Sequence, residues 1–157
     1  MRKRIAGFLG FLERAAAPAE SPLLLAVRLY WGIQFAQTGW GKLHHLERVT
    51  AFFAHLGIPA PGINAPFIAT LEFAGGILLA LGLGSRAIAL LLTGNMLVAY
   101  LTAHRDALLA VFSDPDKFLA AAPYTYLFAA LLVLVFGPGK LSLDNLFFRG
   151  EKPAPKA

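Results

Sequence analysis

Ala65-Pro66-Phe67-Ile68-Ala69-Thr70-Leu71-Glu72-Phe73-Ala74-Gly75-Gly76-Ile77-Leu78-Leu79-Ala80-Leu81-Gly82-Leu83 is the stretch that decides the fold. Its only ionisable residue is Glu72, and it ends in Gly82-Leu83-Gly84-Ser85-Arg86, where glycines stop a helix and a cation follows the last turn. A helix crossing a hydrocarbon core of roughly 30 Å needs about 20 mostly apolar residues, so this stretch reads as a membrane span. Residues 22–41, 87–103 and 119–136 have the same character, the last closing on Gly137-Pro138-Gly139-Lys140. The expected fold is an all-α membrane protein, a bundle of four transmembrane helices built from residues 1–148 as one domain. The tail 149–157, with its prolines and cations, is expected to be disordered.

The composition points the same way. Of 157 residues, 57% are hydrophobic and 15% charged, and the mean hydropathy is +0.62. Soluble domains run at roughly 45–50% apolar and about 25% charged, and need that polar cover. Cysteine is absent, which excludes a disulfide, a thiolate metal ligand and a dithiol site within the chain. In a soluble protein the formal charge of +5 would suggest nucleic acid. In a membrane protein it reports cytoplasmic loops, so the expected partner is the lipid bilayer, with no nucleic acid.

Lys and Arg in short flanking loops orient membrane helices. Of the 14 such residues, nine fall on one side, Arg2, Lys3, Arg4, Arg86 and Lys140 among them. Lys42, Arg48, Arg105 and Lys117 fall on the other, and Arg28 lies inside the first span. The split predicts both termini in the cytoplasm and a multi-pass protein of the cytoplasmic (inner) membrane. Asp106, Asp114, Asp116 and all the histidines then share the outer side, which is where chemistry is to be sought.

Ile5, Phe8, Leu9 and Leu12 follow helical spacing after a basic start, predicting an N-terminal amphipathic helix on the inner surface. A signal peptide is the alternative, against which Glu13-Arg14 stands where a cleavage region should be uncharged. Two short outer interfacial helices are predicted, one carrying Leu46, Val49, Phe52, Phe53 and Leu56 on one face and one over 107–112. The spans after both begin alike, Ala65-Pro66-Phe67 and Ala122-Pro123-Tyr124, which leaves open a parallel duplication of two halves.

An ionisable group inside the bilayer costs at least about 2.5–3.5 kcal/mol at midspan, so it pairs or serves a site. At about 1.5 Å per residue Glu72 lies roughly 10 Å below the outer boundary, too far from Arg28 but within reach of Lys42. A Glu72–Lys42 or Glu72–Gln37 contact would lock the bundle. Arg28 is expected to snorkel to the inner interface, and Asn95 to bond another helix. Trp40, Lys42, Glu72, Tyr100, His104 and Tyr124 are the candidate ligand-binding residues of the outer third. They offer aromatic walls, donors and a protonatable group, His104 being able to shuttle protons near neutral pH or simply to bond a loop carbonyl. His44 and His45 point apart on a helix, and no acid stands at ligand spacing from His55. No metal or haem site is expected.

Several fragments in order carry a resemblance. They are Arg28-Leu29 with Gly32, Gly39-Trp40-Gly41-Lys42-Leu43, Phe52-Phe53 before Gly57-Ile58-Pro59-Ala60-Pro61, and Glu72 with Gly75-Gly76. Leu81-Gly82-Leu83-Gly84-Ser85-Arg86, Asn95-Met96 and Gly137-Pro138-Gly139-Lys140-Leu141-Ser142-Leu143-Asp144 complete the set. Together they resemble the DoxX family of small four-helix membrane proteins. The resemblance implies a cytoplasmic-membrane protein, linked in some members to quinone-coupled sulfur oxidation and in others to oxidoreductase assemblies or stress resistance. It does not fix one reaction. A cysteine-free member would rely on a partner wherever thiols are needed.

Two functions of different classes follow. One is a redox-associated membrane subunit, at most part of a quinone-linked oxidoreductase, with no tightly bound cofactor and a quinone or other apolar small molecule near its outer face. The other is a non-enzymatic scaffold or biogenesis factor whose outer helices dock a redox or membrane protein. A small transporter is a third reading, and a homo-oligomer is compatible with all of them.

Overall fold

The computed structural model describes residues 2–147, with side chains from residue 18 onward. The described residues form eight helices: α1 (Arg2–His44), α2 (Leu46–His55), α3 (Pro61–Leu81), α4 (Ser85–Leu101), α5 (Arg105–Leu109), α6 (Pro115–Ala120), α7 (Pro123–Phe136) and α8 (Leu143–Phe147). No strand occurs among them.

The separate N-terminal helix expected on the inner surface is instead continuous with the first long helix, through Pro18 and Pro22. The Ala15-Ala16-Ala17 run is strong helix former and carries the helix through. The face presented by residues 2–14 and the tail from 148 lie outside the described residues. The fourth apolar stretch is not one helix. α6 stops at Ala121, whose ψ of 136° is extended, and α7 restarts with Pro123 at its first turn. Proline has no N–H to donate back along a helix arriving from 119, so the stretch divides there. The second outer helix is also displaced, forming over Arg105–Leu109 rather than 107–112. Among the described residues one helix, α3, is both long and apolar enough to cross a membrane; α4 and α7 are shorter apolar helices.

α1 lies against α3, and α4 against α7. The first pair meets backbone to backbone because glycines face each other. A Cβ added at Gly32 would stand 2.7 Å from the Gly76 carbonyl oxygen, and one at Gly39 would overlap the backbone nitrogen of Phe73. Phe35, Leu79, Leu92, Met96, Ala130 and Val133 interleave between the pairs as the core.

α3 ends in a tight reversal in which Gly82 takes φ 72° and the Leu83 N–H donates to the Leu78 carbonyl at 3.0 Å. The chain after α7 folds back beneath this turn. Asp144 accepts from the Gly84 and Ser85 N–H groups at 2.7 and 2.8 Å, capping α4, while its own N–H donates to the Gly82 carbonyl at 2.8 Å. Arg28 does not snorkel: it is fully buried and donates to the Leu141 carbonyl, with Asp144 as the neighbouring anion. The returning segment lies against the Arg28 guanidinium, and Gly82 leaves it room that any Cβ would fill.

Candidate functional site

At the other end of the molecule, three helices each contribute one polar side chain to a single contact. Gly39 sets it up. With no side chain there, α1 closes onto α3 at Phe73, and Lys42, one turn further, is brought over Glu72. The Lys42 Nζ lies 2.5 Å from each carboxylate oxygen of Glu72. Asn95 on α4 donates its Nδ2 to Glu72 Oε1 at 2.8 Å. Glu72 is 2% exposed and Lys42 32%, so the carboxylate is desolvated while the ammonium keeps some contact with the surroundings. Charge-assisted bonds of this geometry offset the desolvation that would otherwise expel the anion. Gln37, the alternative partner, is exposed on the opposite face of α1, and Asn95 fills the role it was assigned.

The network sits at the edge of a cavity of about 670 Å³. Ligand sites commonly span about 300–1,000 Å³, mostly apolar with a few convergent polar groups. Here the walls are Phe35 from α1, Phe52 and Phe53 from α2, Leu71 from α3, Met96 from α4 and Tyr126 from α7. Thr38, Asn64, Thr102 and His104 supply further polar atoms.

Of the polar residues singled out in the sequence, Lys42, Glu72, Asn95 and His104 line the cavity. Trp40 does not. It is exposed, packed against His44 and Phe73 with ring centres 4.2 and 5.3 Å away. Tyr100 is buried outside the cavity, stacked on Phe118 at 4.8 Å and donating its hydroxyl to the Phe118 carbonyl at 2.9 Å. Tyr124 packs on the same Phe118 at 5.7 Å. Those two tyrosines hold the α6–α7 corner together, and do not face the site. His44 and His45 each place Nδ1 2.9 Å from a carbonyl of their own helix, at Trp40 and Gly41.

Sequence reasoning assigned Asn95 to helix contact alone and missed Tyr126 and Thr38. Tyr126 had a signal. It stands four and seven residues before Ala130 and Val133, on the one stripe of α7 that is buried, whereas Tyr124 is off that stripe.

Residues 23–105 match the sequence profile of the DoxX family. The chain belongs to the DoxX family. It is similar to a protein of Bacillus subtilis (strain 168) named "Putative oxidoreductase CatD", 30% identical over 128 residues, or 82% of this chain and 89% of the relative. It is also similar to "Inner membrane protein YqjF" of Escherichia coli (strain K12), 28% identical over 123 residues, or 78% of this chain and 90% of that one. No solved structure matches significantly. As a DoxX-family chain it is a membrane protein. Arg28, Lys42, Glu72, Asn95 and His104 all fall inside the matched range, while Tyr126 and the Asp144 cap lie beyond it.

Proposed function

We propose that the chain is an integral subunit of the cytoplasmic membrane, associated with redox metabolism, that binds a quinone or similar apolar carbonyl compound in the α1–α2–α3–α4–α7 cavity. The apolar lengths of α1, α3, α4 and α7 act as four spans of a helix bundle, with both termini in the cytoplasm and the cavity towards the outer face. The observation that carries the reading is a largely apolar space of about 670 Å³ with a buried carboxylate, ion-paired to Lys42, at its edge. A quinone ring needs such walls and one or two donors for its oxygens. Lys42 has an N–H beyond the two directed at Glu72, and His104 is available for proton exchange. A relative named as an oxidoreductase agrees with this class of function.

A second reading rests on the same network. Glu72 has full partners in Lys42 and Asn95, which suits a structural lock in a scaffold or biogenesis factor. Titration of the purified protein with a short-chain quinone analogue separates the two. Saturable binding weakened at least tenfold when Glu72 and His104 are both replaced supports the redox subunit. No saturable binding, or binding unchanged by that replacement, puts the scaffold in front.

A further inference from the structure

We infer that the cavity is filled from the lipid phase, through the seam between α3 and α4 beyond their last shared hydrogen bond, by a membrane-dissolved lipophile whose apolar tail remains in that seam. This rests on the reading of the cavity as a ligand site and of α3 and α4 as membrane spans, and it adds the class of occupant and its route.

The α3–α4 hairpin is tied only in part. Near its turn the helices touch closely: a Cβ at Gly75 would stand 3.5 Å from Ile88 and 3.6 Å from Leu92. The bond from Asn95 to Glu72, at 2.8 Å, is the outermost hydrogen bond between them among the described residues. Past it, Phe67, Ile68 and Leu71 of α3 and Met96, Val98 and Ala99 of α4 line the cavity. Two of those wall residues are also open to the surface: Phe67 is 57% exposed and Val98 48%. A wall that is at once interior and exterior marks an opening. Neither 61–71 of α3 nor 96–101 of α4 holds a charged residue, so the opening faces a surface suited to hydrocarbon.

The other end of the cavity is roofed. α2 turns Val49, Phe52 and Phe53 towards it; Phe52 stays 50% exposed, but the neighbouring Glu47, Arg48 and His55 are exposed too, so that edge is charged where the α3–α4 edge is apolar. Inside, the polar atoms cluster where α1, α3 and α4 meet. Lys42 retains a donor, and the Asn95 side-chain oxygen has no donor among the described residues. A polar head therefore docks at Lys42 and Asn95 while an apolar tail runs out past Phe67 and Val98.

The route is tested without knowledge of the ligand. In liposomes, a nitroxide on Ala99→Cys, a cavity position, should collide with oxygen as readily as one on Leu97→Cys, and be shielded from a water-soluble nickel chelate relative to His55→Cys. Nickel access at position 99 equal to that at 55 overturns the lipid route. For the tail, Val98→Trp at the seam should weaken binding of a long-chain isoprenoid quinone at least tenfold more than binding of a short-chain analogue. Unchanged long-chain binding, or equal loss of both, overturns the tail's path. If the unaltered protein binds neither quinone, the quinone reading fails, while the nitroxide result still decides the opening.

Discussion

Replacing Lys42 by methionine should destabilise the protein more than replacing its partner, although both changes break the same ion pair. The reason is the difference in exposure. Lys42→Met strands the Glu72 carboxylate, 2% exposed, with one remaining bond from Asn95. Leaving a desolvated charge without its partner costs about 3–5 kcal/mol. Glu72→Leu strands an ammonium that is 32% exposed and able to rehydrate, so the loss falls to about 1–2 kcal/mol, close to that of one charge-assisted hydrogen bond. Glu72→Gln, which keeps the shape and an acceptor for both neighbours, should lose less than Glu72→Leu. Removing both charges in Lys42→Met/Glu72→Leu should recover at least about 2 kcal/mol relative to Lys42→Met, since no charge is then left uncompensated. The four variants and the parent are compared by unfolding in detergent micelles, followed by helical circular dichroism. A double variant no more stable than Lys42→Met would falsify the account, because the loss would then come from packing rather than from a stranded charge.

Gly39→Ala should cost about 1–3 kcal/mol or more, since its Cβ overlaps the Phe73 backbone, whereas Gly94→Ala, with nothing near its Cβ, should be neutral or stabilising in the same unfolding assay. Asp144→Ala should lose about 0.5–2 kcal/mol with the cap of α4, and faster amide exchange at Gly84 and Ser85 is the local readout that distinguishes this from a general loosening. On the cysteine-free chain, His55→Cys should react with an impermeant maleimide from outside the cell only; reaction solely from the cytoplasmic side sinks the topology.

The long apolar helices were legible because periodicity and end signals are local properties: α3 and α4 begin and end within four residues of the stretches 65–83 and 87–103. The Glu72–Lys42 pair was legible because depth follows from counting residues along a helix. Azimuth was harder. Gln37 and Trp40 lie at the right height and on the wrong side of α1, since which stripe faces the core depends on where Gly32 and Gly39 let α3 approach. Arg28 was misplaced for a different reason: its partners Leu141 and Asp144 lie more than a hundred residues away, and no local pattern announces that the chain returns beneath the α3–α4 turn. The break at Ala121 was foreshadowed by Pro123, whose effect on a helix arriving from upstream was outweighed by the apolar run around it.

The two buried charges divide the molecule's work between its ends. At the hairpin end, Arg28 and Asp144 draw α1, the α3–α4 turn and the C-terminal segment together, and the hollow at Leu81, Leu141 and Ser142, about 430 Å³, is smaller than the cavity opposite. At the cavity end, Lys42, Glu72 and Asn95 draw α1, α3 and α4 together beside open space. Between apolar helices in lipid there is little hydrophobic force to hold a seam shut, so a polar contact fixes where the helices stay joined and where they can part. Glu72–Asn95 is such a point on α3 and α4. A head group that takes the spare Lys42 donor and the free Asn95 oxygen would bind the same three helices from the cavity side without breaking either bond to Glu72. The structural lock and the ligand site are thus compatible in one network, and the ligand's effect on stability tells them apart: a bound quinone should raise the unfolding temperature of the parent protein but not of Lys42→Met/Glu72→Leu. An equal rise in both would place the head group away from this contact.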